Sequence, residues 1–247
     1  MIPVKNASEI EKMRRVSKVV AGLLKALGER VRPGVSTLDL DQLANVYLRE
    51  NGAVATFLGY HGYPASICTS VNEQVVHGIP SHRRLVEGDI IGIDVGATLD
   101  GFVGDAARTF AVGKVSEEAL RLMQVTREAL ELGLAQVRPG NRLQDIGAAV
   151  QAHVEGAGYS IVRDFVGHGV GRKLHEEPQI PNYGRKGLGP KIQAGMTFAI
   201  EPMVNAGGFE IDVLADGWTA VTRDRRLSAH FEDTVLAGPG GPEILTR

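Results

Sequence analysis

One ten-residue pattern occurs twice in this chain, and it constrains the fold more than any other feature. Residues 31–40 read V-R-P-G-V-S-T-L-D-L and residues 137–146 read V-R-P-G-N-R-L-Q-D-I. At that offset of 106 residues, Val31, Arg32, Pro33, Gly34 and Asp39 recur as Val137, Arg138, Pro139, Gly140 and Asp145. Each copy follows a long amphipathic stretch. In the first, Ser8 with Glu11 three residues on predicts a capping box, and Ile10, Met13, Val16, Val20, Leu23, Leu24 and Leu27 recur at helical spacing. The second starts at Ser116, with Glu117 and Glu118 in a first turn where carboxylates suit the helix dipole. A second helix follows each Pro-Gly turn, one over Leu38 to Glu50 and the other over Leu143 to Glu155, each stopped by glycine.

The duplication continues into strands. Gly88-Asp89-Ile90-Ile91-Gly92-Ile93-Asp94 and Gly195-Met196-Thr197-Phe198-Ala199-Ile200-Glu201 align at an offset of 107, and both place a carboxylate six residues after a glycine. The same helix–turn–helix–strand order with the same terminal acid implies two α+β halves about a pseudo-twofold axis. Asp94 and Glu201 are then equivalent members of one central site. No Gly/Ser linker separates the halves, so the expectation is a single catalytic domain, residues 1–247, with halves of about 8–112 and 113–240.

Composition narrows the class. A chain of 247 residues, 43% of them hydrophobic, can bury a large core. A net charge of −2 offers no basic field for nucleic acid. Cys68 is the only cysteine, so neither an intramolecular disulfide nor a cysteine zinc finger can form. The first residues lack the apolar core of a signal peptide and no stretch is long enough to span a bilayer. These features predict a cytoplasmic protein without membrane or nucleic-acid partners.

The acids carry the chemistry. In I-G-I-D-V-G-A-T-L-D-G-F-V-G-D, Asp100-Gly101 is a hairpin turn signal. A two- or four-residue loop there puts Asp94 and Asp105 on one sheet face, directly opposite or one diagonal step apart, with Cβ atoms about 4.5–8 Å from each other. Two carboxylates so close on a buried face repel unless a cation or proton intervenes; the alternative is that one lies at a solvated edge. Three further candidates join them. His168 sits in the glycine-rich G-H-G-V-G, Glu201 ends an apolar strand before Pro202, and Glu232 lies in the alternating A-H-F-E-D-T-V-L, which reads as a strand. Four carboxylates and one imidazole carry a charge that two divalent cations would neutralise. An oxygen-rich set of this kind favours hard or borderline ions and implies metal-assisted hydrolysis.

The strings N-E-Q-V-V-H-G-I-P (72–80), I-D-V-G-A (93–97) with D-G-F-V-G-D (100–105), G-H-G-V-G-R-K-L-H-E-E-P (167–178), A-I-E-P (199–202) and S-A-H-F-E-D-T (228–234) resemble type I methionine aminopeptidases, in order along nearly the whole chain. The resemblance implies the pita-bread α/β fold, an antiparallel sheet covered by helices, around a site for two divalent ions (Co, Mn, Fe, Ni, Zn or Mg). By the same resemblance, Asp94 chelates one ion, Asp105 and Glu232 bridge both, and His168 with Glu201 completes the other. A bridging hydroxide attacks the carbonyl after the first residue, Glu201 shuttles protons, His175 steadies the oxyanion and His77 hydrogen-bonds the scissile amide. The implied substrate is the N-terminal methionine of nascent proteins with a small second residue, a substrate compatible with proximity to the ribosome although the surface charge offers no obvious ribosome-binding arm; a monomer is the family expectation.

Phe57-Leu58-Gly59-Tyr60-His61-Gly62-Tyr63-Pro64 resembles the family's pocket loop. Phe57, Tyr60, Tyr63, Cys68, Leu174 and Trp218 occupy its pocket positions, with Phe57 standing where some relatives carry a cysteine. A monovalent cation held partly by backbone oxygens near Asn72 and Ser228 is a further expectation. Cys68 has no activating base in the sequence and is not expected to be a nucleophile. Two rival readings remain. A prolidase or Xaa-Pro aminopeptidase typically carries an added N-terminal domain, whereas here the catalytic plan starts by residue 8; a noncatalytic binding protein on the same fold would have lost ligands. Glu201 and Glu232 are only 31 positions apart, which leaves no room for the long insertion of type II methionine aminopeptidases.

Overall fold

The computed structural model describes residues 1–247. Its helices are α1 (Ala7–Gly28), α2 (Thr37–Glu50), α3 (Glu117–Leu134) and α4 (Leu143–Gly156). Between α2 and α3 run β1 (Val54–Ala55), β2 (Cys68–Val71), β3 (Gln74–Val76), β4 (Ile90–Leu99) and β5 (Phe102–Ala111). After α4 come β6 (Ser160–Ile161), β7 (Gly167–Gly169), β8 (Glu176–Ile180), β9 (Thr197–Ile200) and β10 (Met203–Asn205). The chain closes with β11 (Ile211–Val213), β12 (Ala220–Thr222), β13 (Ser228–His230), β14 (Asp233–Gly238) and β15 (Gly241–Ile244).

The repeated motif proves to be a device for entering a helix. Gly34 and Gly140 have φ of +90° and +98°, a region open chiefly to glycine, and their N–H groups donate to the carbonyls of Leu85 and Ile192. Three residues into α2, the Asp39 carboxylate accepts the N–H of Ser36, whose hydroxyl accepts the N–H of Asp39. Asp145 accepts the N–H of Arg142 in the same way at α4, but an arginine side chain has no acceptor to return the bond. The recurring aspartates are therefore caps. At α1 the cap differs from expectation: Asn6 and Glu9 form the box, not Ser8 and Glu11. The Lys5 N–H donates to Gly195, which keeps the chain extended up to Asn6 and lets the helix begin at Ala7.

The apolar stripe Met13, Val16, Val20, Leu23, Leu24 and Leu27 of α1 packs into one core with Ile91, Ile93 and Val95 of β4 and Phe102 and Val103 of β5. Each fully buried side chain of that size contributes roughly 2 kcal/mol. Leu122, Val125 and Ala129 of α3 meet Val150 and Val154 of α4 over β10 and β13. Helices thus cover an antiparallel sheet, as expected for the pita-bread fold, but the sheet is not one continuous ladder. A first sheet joins β1, β2 and β5 to β4; a second runs β15-β14-β9-β7-β8. Between the two, the sole backbone pairing is an isolated bridge of Ala107 with Glu232, supported by the Thr234 hydroxyl on the Asp105 backbone, and beside it β13 and β14 break at Phe231 and Glu232. The segment expected to be one strand through Glu232 is therefore two, and the break turns Glu232 toward the seam between the sheets.

Candidate active site

At that seam lies a cavity of about 340 Å³ lined by 19 residues. Its lining includes Asp94, Asp105, His168, Glu201, Glu232, His77, His175, Phe57, Tyr60, Tyr63, Cys68, Leu174 and Trp218, so every residue singled out for the divalent ions, catalysis or the pocket comes together here. The turn at Asp100-Gly101, with φ of +51° and +74°, sets the register Leu99↔Phe102. Gly96 then faces Asp105 and Asp94 faces Ala107, which leaves the two aspartates one diagonal step apart on the same face. Glu201 follows the last residue of β9, and Glu232 is fixed by mutual backbone hydrogen bonds with Ala107.

The four carboxylates lack protein counterions. Asp94 Oδ1, Asp105 Oδ1 and Glu232 Oε1 are buried without a hydrogen-bond partner. Burial raises the Asp94 pKa to about 7. It holds Asp105, and with it Glu201 and Glu232, well above the usual carboxylate range, with repulsion among the acids adding to the effect. Arg108 does not relieve them: its guanidinium donates to the Asp233 carboxylate and to the carbonyls of Ala107 and Glu232. Asp233, next in sequence to Glu232, is by contrast paired with Arg108, Arg247 and Thr246.

His168 completes the set. Its Nδ1 hydrogen-bonds the Gly169 carbonyl at 2.9 Å, which makes Nδ1 the donor and leaves the Nε2 lone pair facing Glu201 Oε1 at 3.4 Å and Asp105 Oδ2 at 3.6 Å. Burial, with His175 beside it, lowers its pKa to about 4, so the imidazole is neutral at pH 7 and does not compensate the acids. Ligand atoms of Asp105, His168 and Glu232 all lie within 4.8 Å of one another. Unpartnered buried oxygens around a neutral imidazole fit divalent cations.

Two further imidazoles face this centre. His77 sits in the left-handed region with φ +60°, and burial lowers its pKa to about 4. His175 is likewise lowered, by burial and then by His61, and its Nδ1 lies 2.6 Å from Tyr60 Oη. Burial, and secondarily Asp105, raises the Tyr60 pKa, so the phenol keeps its proton; in the arrangement in which it donates to Nδ1, the His175 proton resides on Nε2. The Cys68 thiol is pushed well up by burial and by Asp94 across the ladder, which leaves no thiolate to act as nucleophile.

Sequence reasoning missed His61, Val76, Phe165, Val166, Met203 and His230 in the same lining. His230 carried a usable signal, since it lies two residues from Glu232 and shares its face in any extended segment. Phe165 packs edge-on against His77 with centroids 5.1 Å apart, but nothing in its local sequence marks it. Asn72 and Ser228 are neighbours: the Ser228 N–H donates to the Asn72 carbonyl. The Asn72 side chain is engaged by Asp89 and Ile90, and the Ser228 hydroxyl by Val204 and Asn205.

Comparisons with known proteins identify the family and the fold. Residues 11–239 match the model of metallopeptidase family M24. The chain is 52% identical to the methionine aminopeptidase of Clostridium perfringens, over 100% of this chain and 99% of the relative. The crystal structure of methionine aminopeptidase from Rickettsia prowazekii superposes with a TM-score of 0.99 at 44% identity, and that from Thermotoga maritima with 0.99 at 47%, each covering 100% of both chains. The prolidase from Pyrococcus furiosus shares the fold alone: its TM-score is 0.78 at 22% identity, and only 65% of its length is covered. The chain belongs to metallopeptidase family M24, within the methionine aminopeptidases of that family.

Proposed function

We propose that this protein removes the N-terminal methionine from polypeptides whose second residue is small, using two divalent ions held by Asp94, Asp105, His168, Glu201 and Glu232. The observation that carries the reading is the set of four counterion-free carboxylates, three of them with a buried oxygen that has no partner, and one neutral imidazole at the floor of a partly apolar slot. Asp94 would hold one ion, His168 and Glu201 the other, and Asp105 with Glu232 both; the fourfold negative charge matches two dications of the Co, Mn, Fe, Ni, Zn or Mg group. When bound, such ions acidify water and polarise a carbonyl. The chain's own groups do the rest. Phe57, Tyr60, Tyr63, Cys68, Leu174 and Trp218 enclose an unbranched thioether side chain, which suits a narrow apolar slot. His175, with its proton on Nε2, donates to the carbonyl oxygen as negative charge develops. His77 hydrogen-bonds the amide on the leaving side, and the Glu201 carboxylate takes a proton and returns it to the departing amine.

The whole chain, residues 1–247, would act as one catalytic unit of two related halves, a monomer working in the cytoplasm on chains as they leave the ribosome. No helix is long and apolar enough to cross a membrane. A monovalent cation would be held partly by backbone oxygens near Asn72 and Ser228, which the Ser228 N–H to Asn72 carbonyl bond brings together. Cleavage of Met-Ala-Ser with added divalent ions tests the reading. Cleavage of Xaa-Pro peptides alone would favour the prolidase group, and no turnover with any ion a binding protein.

A further inference from the structure

Lys5 is the only lysine or arginine among the buried residues, and the proposed reaction does not use it. Its side chain is 5% exposed, and Nζ lies 2.7 Å from Glu176 Oε2, itself on a side chain 10% exposed. The other Glu176 oxygen accepts the N–H groups of Arg172 at 2.7 Å and Lys173 at 3.3 Å. This carboxylate therefore closes the turn Gly171–Glu176 on itself, and the turn carries Leu174 and His175 into the cavity. The pair lies flush against the turn: a Cβ at Gly171 would fall 2.6 Å from Lys5 Cε and 2.8 Å from Glu176 Oε1. Meanwhile the Lys5 N–H donates to Gly195 at 2.8 Å, just ahead of the strand that delivers Glu201. One residue thus ties the His175 turn to the Glu201 strand.

A buried ion pair is a poor source of stability, because desolvation offsets most of the attraction. What it supplies here is position. His175 must meet its acceptor in a transition state, and a displacement of about 1 Å there can cost as much as a hundredfold in rate. We propose that Lys5 is a positioning residue: through Glu176 it fixes the turn that aims His175 into the site. The proposal rests on the reading of His175 as a donor to the substrate carbonyl.

The test is Lys5→Met, which keeps the length and removes the charge, with Glu176→Gln as a second variant should the first not fold. Circular dichroism confirms folding. Either variant is expected to lower kcat on Met-Ala-Ser roughly ten- to a hundredfold while KM stays within about twofold. The ¹H–¹⁵N resonances of the His175 ring should shift in the metal-free protein. In a His175→Ala background the Lys5 substitution should cost less than about twofold, because its effect passes through the missing ring. Wild-type kcat with unmoved His175 resonances overturns the proposal, as does a full loss that persists without His175. If the wild type itself cleaves no Met-Ala-Ser with any divalent ion, the reading of function falls, and the His175 resonances alone then decide on Lys5: a shift supports the positioning role and unmoved signals overturn it.

Discussion

Replacing Asp105 by asparagine should stabilise the metal-free protein while destroying its ability to gain stability from ions. Asp105 is 4% exposed, and its hydrogen bonds run through the backbone, both to the Thr234 hydroxyl. The substitution leaves those intact. Its carboxylate has no partner on Oδ1 and lies 3.6 Å from His168 on Oδ2, too far for a hydrogen bond. Without ions, folding must hold this group either charged beside three other acids or protonated against its solution preference, at about 1.4 kcal/mol per unit of pKa displacement. An amide removes that cost, and its N–H groups face carboxylates that can accept them. A net gain on the order of 2 kcal/mol is expected, which for a chain of this length raises Tm by roughly 4–8 °C. Ions reverse the order: at about a hundred times Kd they add about 2.7 kcal/mol to the wild type, and little to a variant lacking a shared ligand. Calorimetry at pH 7.5, in chelator and again with Mn²⁺ or Co²⁺, reads both halves of the prediction, and Met-Ala-Ser turnover should be nearly abolished. A variant less stable than wild type in chelator, or equally stabilised by ions, refutes the claim that Asp105 is held for a cation.

Three other substitutions probe how the site is built. Gly96 faces Asp105, and a Cβ there would fall 2.5 Å from Phe57 Cε1; Gly96→Ala should push the ring into the slot and raise KM for Met-Ala-Ser roughly tenfold, with a smaller effect on kcat. Gly78, next to His77, leaves a Cβ only 2.2 Å from the Thr69 carbonyl, a backbone atom that cannot swing aside, so Gly78→Ala should lose about 3 kcal/mol in urea unfolding; a loss below about 1 kcal/mol would mean the strand yields easily. Asp145 has a pKa lowered by the N–H groups of Arg142 and Gly187, in that order. A carboxylate depressed in the folded state stabilises above its unfolded value of about 4 and loses that contribution as pH falls through the folded one. Asp145→Ala should therefore cost about 1 kcal/mol at pH 7, and the Tm gap to wild type should close below about pH 4; a gap unchanged with pH would rule out the charged cap.

What was legible in the sequence was set by covalent neighbours. The Asp100-Gly101 turn fixed the β4–β5 register, and the twofold period of a strand then put Asp94 and Asp105 on one face without knowledge of anything else. The two V-R-P-G motifs announced two helix entries for the same local reason, a positive-φ glycine ahead of a cap. What was misread depended on distant parts of the chain. Asn6 and Ser8 head competing boxes with nearly equal local merit, and a hydrogen bond from Lys5 to Gly195, 190 residues away, decides between them. The A-H-F-E-D-T-V-L segment alternates like one strand, yet it breaks at Phe231 and Glu232 because Glu232 must bridge to Ala107 on another sheet. That break aims one acid at the seam while its neighbour Asp233 turns to Arg108 and Arg247, and alternation alone cannot say which acid does which. Met203 reaches the slot through its pairing with His230, and Phe165 lies between β6 and β7 outside any ladder, so no local pattern could have shown either. The placement of Asp94 beside Asp105 was therefore readable from local turn chemistry, and Phe57, Tyr60, Tyr63, Cys68, Leu174 and Trp218 from the resemblance, whereas the remaining walls were not, because they come from segments whose faces are chosen by contacts far off in the chain.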